Sequence, residues 1–121
     1  MKTCLVVDDS EVVRKVARYI FENLQFEAGE AETAQDALDR CAKAMPDFIL
    51  LDSHIPPVPT ASFLSALRAM PGGDKPMVIY CATENDPSEI ARALSAGADD
   101  YVLKPCDRET LGKKLAALRP A

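Results

Sequence analysis

The sequence predicts a doubly wound α/β fold, a five-stranded parallel sheet with five helices covering both faces. Three observations predict it. Residues Thr3–Val7, Phe48–Asp52 and Met77–Ala82 are nearly unbroken apolar runs, the pattern of strands buried on both faces. Segments with apolar residues at helical spacing alternate with these runs along the whole chain. The runs end in polar groups, Asp8-Asp9, Asp52 and Thr83, as strands do where they leave a sheet.

Taken in order, Thr3–Val7 is strand one, and Ser10 or Asp9 supplies the side-chain oxygen that caps the next helix. Val12, Val13, Val16, Ala17, Ile20, Phe21 and Leu24 mark one face of that helix, with Arg14, Lys15, Arg18 and Glu22 on the other. Residues 26–31 form a short strand toward the sheet edge. Residues 34–44 repeat the helical pattern through Ala37, Leu38, Cys41 and Ala42, and Pro46 stops it. After strand three, Pro56, Pro57 and Pro59 stiffen a loop, and a helix begins near Thr60 with Phe63, Leu64 and Leu67 inward. Pro71-Gly72-Gly73 ends it. Strand four is followed by a helix from Pro87 to Ala96, with proline in its first turn and Gly97 as its stop. Tyr101-Val102-Leu103 is strand five, closed by Lys104-Pro105. The last helix, residues 107–118, buries Leu111, Leu115 and Leu118 and carries Lys113, Lys114 and Arg119 near its C-terminal end.

The 121 residues, 48% of them hydrophobic, make one domain with a substantial core. A formal charge of −5 argues against nucleic acid as a direct partner, because phosphate backbones need a basic stripe. No segment is apolar enough to span a membrane or to serve as a signal peptide, so a cytoplasmic location is expected. Cys4, Cys41, Cys81 and Cys106 form no C-x-x-C pair. They read as small buried hydrophobes, with Cys81 and Cys106 the candidates for a thiol near the site.

Every strand of a parallel sheet has its carboxyl end on one edge, where open α/β folds bind ligands. That edge collects Asp8 and Asp9 from strand one, Asp52 from strand three and Lys104 from strand five. Carboxylates crowded at ~4 Å repel by about 1 to 4 kcal/mol per pair, so cations must compensate. Lys104 is one. A hard divalent ion such as Mg²⁺, which takes carboxylates and keeps sites for phosphate oxygens, is the other. A carboxylate so placed is a nucleophile for phosphoryl transfer, giving an acyl phosphate at Asp52. Taken singly, each group also has an ordinary role as a helix cap, a turn residue or a solvated lysine.

With these residues in view, the chain resembles the receiver domains of two-component response regulators, most of all the stand-alone chemotaxis type. Val6-Val7-Asp8-Asp9-Ser10, Leu50-Leu51-Asp52, Ala96-Gly97-Ala98 and Tyr101-Val102-Leu103-Lys104-Pro105 carry the resemblance over the whole chain. It implies a flavodoxin-like receiver fold over residues 1–121. It also implies that Asp52 accepts a phosphoryl group from the phosphohistidine of a sensor histidine kinase or histidine phosphotransferase. Asp9 would bind Mg²⁺ directly, Asp8 mainly through water, and the backbone carbonyl of His54 would complete the metal set with Asp52. Lys104 would contact the phosphoryl group, and the Lys104-Pro105 peptide would be cis. Tyr101 would turn inward as a switch, and a target protein would read the face of helix four, strand five and helix five. The resemblance implies a signalling protein, a monomer or weak dimer, not a dedicated enzyme.

Departures from the family pattern are specific. Counting back without gaps from Ala96-Gly97 puts Ala82 where the family carries Thr or Ser. Thr83 then falls one residue late, on the opposite face of the strand unless a bulge intervenes. Ile55-Pro56-Pro57-Val58-Pro59-Thr60 replaces a glycine-containing turn, and Cys106 stands where Phe is common. His54, the single histidine, contributes its carbonyl alone or also an imidazole that affects phosphoryl lifetime. Without an attached output domain, the chain is expected to signal by protein contact or to act as a phosphate carrier. The alternative is a degenerate receiver that binds partners independently of phosphorylation. An aspartate-nucleophile phosphatase is disfavoured, since His54 occupies the place of its second aspartate. Nucleotide or flavin binding is disfavoured too, because acids replace the glycines of a phosphate cradle.

Overall fold

The computed structural model describes residues 2–55, 58–104 and 107–117. Five strands, β1 (Thr3–Val7), β2 (Glu27–Ala31), β3 (Phe48–Asp52), β4 (Met77–Ala82) and β5 (Asp100–Leu103), alternate with five helices. These are α1 (Glu11–Asn23), α2 (Ala34–Lys43), α3 (Thr60–Ala69), α4 (Pro87–Ala96) and α5 (Arg108–Ala117). All strands are parallel, in the order β2-β1-β3-β4-β5. The short polar-flanked strand, β2, lies at the edge as its composition suggested. Of the sequence expectations, those on Pro56, Pro57, Pro105, Cys106, Leu118 and Arg119 lie outside the described residues.

The alternation of side chains along each strand divides the core in two. Leu5, Val7, Ile49, Leu51, Val78, Tyr80 and Ala82 pack with α2, α3 and α4. Cys4, Val6, Phe48, Leu50, Ile79, Cys81 and Val102 pack with Ala17 and Phe21 of α1 and with Leu111 and Leu115 of α5. Phe26 meets Phe21 and Phe48 edge to face, with ring centroids 5.6 and 5.4 Å apart, and packs against the second core.

Helix boundaries follow local chemistry. Ser10 caps α1, its hydroxyl accepting from the Val13 N–H, and Thr33 and Asp86 cap α2 and α4 in the same way. Gly97 ends α4 at a φ of 135°, open to glycine and strained for other residues. The apolar stripe of α1 is only partly used. Ala17 and Phe21 are buried, but Val12, Val13 and Val16 are 72%, 36% and 54% exposed. On α2, Ala34, Ala37 and Cys41 face the core, while Ala42 is exposed.

Candidate phosphoacceptor site

Strand parity assembles the site. Asp8 lies two residues beyond Val6, Asp52 two beyond Leu50, and Lys104 two beyond Val102, all three anchors belonging to the core under α1 and α5. The three polar side chains therefore emerge on one face at the carboxyl edge and line one cavity. Asp8 and Asp52 are buried, 3% and 4% exposed. Lys104 Nζ lies 3.1 Å from Asp8 Oδ2 and 2.5 Å from Asp52 Oδ1. Asp9, exposed on the following residue, still brings a carboxylate oxygen to within 4.8 Å of those of Asp8 and Asp52.

Each group is held by its own loop. Asp8 Oδ1 accepts from the Ser10 N–H at 2.9 Å, and the Asp8 carbonyl accepts from Arg14 Nη1 at 2.8 Å. Asp52 Oδ2 accepts from the His54 N–H at 3.4 Å, and the His54 side chain is exposed. The Ser53 N–H donates to the Cys81 carbonyl and the Lys104 N–H to the Ala82 carbonyl, which ties the three strand ends together. Thr60 Oγ1 donates to the Ser53 carbonyl at 2.9 Å and anchors the start of α3 to the same loop.

Burial pushes the Asp52 carboxyl above the ordinary aspartate range; Lys104 opposes the shift and the neighbouring Asp8 charge adds to it. Burial also works against the charged form of Lys104. Its close contacts with, and the charges of, Asp52 and Asp8 outweigh that, so the ammonium is held more firmly than a free lysine. Three carboxylates against one ammonium leave two negative charges, the complement of a divalent cation. Asp52 Oδ1 lies against the Lys104 ammonium in poor hydrogen-bond alignment and has no other donor, so its charge is met by the ion pair alone. Hard oxygen donors of this kind fit Mg²⁺.

Thr83 departs from the sequence expectation. The ladder pairs Asp52 with Cys81, so Cys81 is the β4 residue beside the acceptor, on its face. Ala82 turns into the opposite core, with α3 and α4. Thr83, two residues beyond Cys81, returns to the cavity that Asp52 and Lys104 line. The offset arose because a gap-free count from Gly97 crosses the loop before α4, where one residue more or less changes nothing in the sheet. Tyr101 is half-buried against the α3–α4 core, with Lys114 Nζ 5.4 Å from its ring centroid.

Sequence reasoning missed Glu30. On edge strand β2, it accepts from Arg14 at 3.1 Å, Lys15 at 2.9 Å and Arg18 at 3.2 Å. Arg14 thus links Glu30 to the Asp8 carbonyl. The signal was a basic stripe at positions 14, 15 and 18, which read as a solvated face.

The family model for the response regulator receiver domain matches residues 4–116. The chain belongs to this family. The receiver is 35% identical over 121 residues to the KDP operon transcriptional regulatory protein KdpE of Escherichia coli, spanning 100% of this chain and 51% of that protein. It is 34% identical to a protein-glutamate methylesterase/protein-glutamine glutaminase of Nocardioides, over 97% of this chain and 32% of that protein. The chain spans about half the length, or less, of the curated relatives it matches. Among solved structures it is similar to the chemotaxis response regulator CheY4 of Vibrio cholerae, at 27% identity and a TM-score of 0.90, covering 97% of this chain and 98% of that one. The flavodoxin-like arrangement expected from the sequence is the one these receivers share. Among the described residues, no helix is long and apolar enough to cross a membrane.

Proposed function

We propose that this receiver accepts a phosphoryl group on Asp52 from a phosphohistidine of a sensor histidine kinase or histidine phosphotransferase, and signals through protein contacts. The observation that carries the reading is the buried Asp52 carboxylate, with Lys104 bridging it to Asp8 and an oxygen left without a well-aligned donor. In the transfer, an Asp52 oxygen forms the new P–O bond as the P–N bond breaks. The electron pair leaves on the imidazole nitrogen. Lys104 remains beside the acceptor and neutralises phosphoryl oxygens as charge spreads over them. Asp8, Asp9, Asp52 and the His54 carbonyl would hold Mg²⁺, which when bound supplies further charge neutralisation.

Thr83 is assigned to hydrogen-bond the phosphoryl group and Tyr101 to report it to the α4–β5–α5 face, where a target protein would dock. The negative charge and the lack of a membrane-spanning helix among the described residues support a cytoplasmic signalling module, monomeric or weakly dimeric, acting on neither nucleic acid nor membrane directly. It is not a dedicated enzyme, since the acyl phosphate is its own product and is hydrolysed in place.

Incubation with Mg²⁺ and phosphoramidate, followed by intact-mass measurement, tests the reading. One phosphoryl group per chain is expected, lost in Asp52→Asn and on chelation. An unmodified wild-type protein in the presence of Mg²⁺ would overturn it and leave a binding module that works without phosphorylation.

A further inference from the structure

A cavity of about 410 Å³ opens against the acceptor, within the size range of small-molecule sites, roughly 300 to 1,000 Å³. Val6 and Leu50 from the sheet, Val13, Val16 and Ile20 from α1, and Asp52 and Lys104 from the carboxyl edge all line it. This explains the exposed half of the α1 stripe: Val13 and Val16 face a space rather than a neighbouring helix. Charged groups that fit a phosphoryl group thus share one cavity with an apolar lining.

We infer that this chamber receives the acyl group of a small acyl phosphate, and that the receiver takes phosphoryl groups from butyryl-sized to benzoyl-sized acyl phosphates in preference to acetyl phosphate. The inference rests on the reading of Asp52 as phosphoacceptor. Charge complementarity orients such a donor. Its anionic phosphoryl head faces Lys104, and its apolar tail lies along Val13, Val16 and Ile20.

The chemistry of the acceptor selects the donor class. An Asp52 oxygen forms a P–O bond, the P–O bond to the acyl oxygen breaks, and the electron pair departs with the released carboxylate. One carboxylate replaces another, so no proton is required and the exchange is nearly balanced in energy. An alkyl phosphate ester would have to expel a far more basic alkoxide, which a carboxylate nucleophile cannot drive.

The test compares acetyl, butyryl and benzoyl phosphate as donors with saturating Mg²⁺, scored by intact mass. Acetate and butyrate are leaving groups of nearly equal basicity, so their difference reads binding of the tail. Two methylenes at about 0.8 kcal/mol each correspond to an approximately 15-fold higher kcat/KM for butyryl phosphate, carried by KM. Val16→Gln and, separately, Val13→Gln are expected to cut that ratio to about 3-fold or less, since each puts an amide where the tail packs. Phenylphosphonate, which cannot transfer, is expected to shift the methyl resonances of Val13, Val16 and Ile20 in the Mg²⁺-loaded protein.

Equal specificity constants for acetyl and butyryl phosphate, or a preference unchanged in both variants, would overturn the inference and assign the chamber to contact with a protein donor. That outcome leaves Asp52 labelled and the receiver reading intact. Failure of every donor to label Asp52 would overturn both.

Discussion

Replacing Glu30 by Gln tests how the edge strand supports the acid site. Glu30 is 13% exposed and its carboxyl is lowered from 4.5 to about 2, by the Lys15 hydrogen bond first and then by Arg18 and Arg14, against the cost of burial. At 1.36 kcal/mol per unit that displacement is a ceiling of about 3 kcal/mol. Lys15 and Arg18 are 59% and 43% exposed, so solvent screens their share, whereas Arg14 is 12% exposed. The expected loss for Glu30→Gln is therefore about 1 to 2 kcal/mol at pH 7. A folded-state pKa below the unfolded one contributes stability that is complete above 4.5 and fades as pH falls toward 2. Urea titrations of both proteins from pH 7 to pH 3 should show a constant gap down to pH 5 that narrows below it. Because Arg14 also donates to the Asp8 carbonyl, the amide resonances of Asp8 and Asp9 should shift in the variant. Equal stability at pH 7, or a gap that does not narrow in acid, would refute the electrostatic account of Glu30.

Two further predictions concern the opposite end of the sheet. Arg68 donates to the carbonyls of Gly97 (3.0 and 2.6 Å), Gly73 (2.9 Å) and Pro76 (2.8 Å) and pairs with Asp99 at 3.0 Å. Arg68→Ala should cost about 2 to 4 kcal/mol by leaving these carbonyls unpaired; a loss below about 1 kcal/mol in urea denaturation would mean water replaces the guanidinium. A Cβ on Gly73 would lie 2.0 Å from the Leu67 carbonyl oxygen, while one on Gly72, at φ +76°, meets nothing within 4 Å. Gly73→Ala should therefore destabilise more than Gly72→Ala, whose cost is about 1 to 2 kcal/mol for the left-handed backbone, and thermal melts that reverse the order would contradict the packing at this turn.

Much of the fold was legible because its signals are local and repeated. Unbroken apolar runs gave β1, β3 and β4, and capping residues such as Ser10 and Gly97 marked helix ends that the structure places within a residue or two. The convergence of Asp8, Asp9, Asp52 and Lys104 needed one further step, that parallel strands share a carboxyl edge. What was illegible depends on packing between elements. The spacing of Val12, Val13 and Val16 is indistinguishable from that of a buried face, and only the placement of α1 against the sheet leaves these residues beside a cavity. Glu30 carries no signal of its own in the sequence; its role comes from the placement of α1, which lays three cations across it.

Strand four shows the limit of counting most sharply, and its resolution bears on function. Position along a strand fixes a side chain's face only relative to the strand's own ladder, never relative to a motif across a loop. Measured from Gly97, the hydroxyl position falls on Ala82; measured from the ladder, the residue opposite Asp52 is Cys81. The sheet decides, because five consecutive β3–β4 pairs hold the register, while the loop between β4 and α4 has no such constraint. A hydroxyl one residue past Ala82 is therefore not misdirected: Thr83 shares the cavity with Asp52 and Lys104, and the small residue that faces away is Ala82 itself. The residue beside Asp52 is then Cys81, which carries no hydroxyl, and Thr83 is the hydroxyl that β4 delivers to the same cavity.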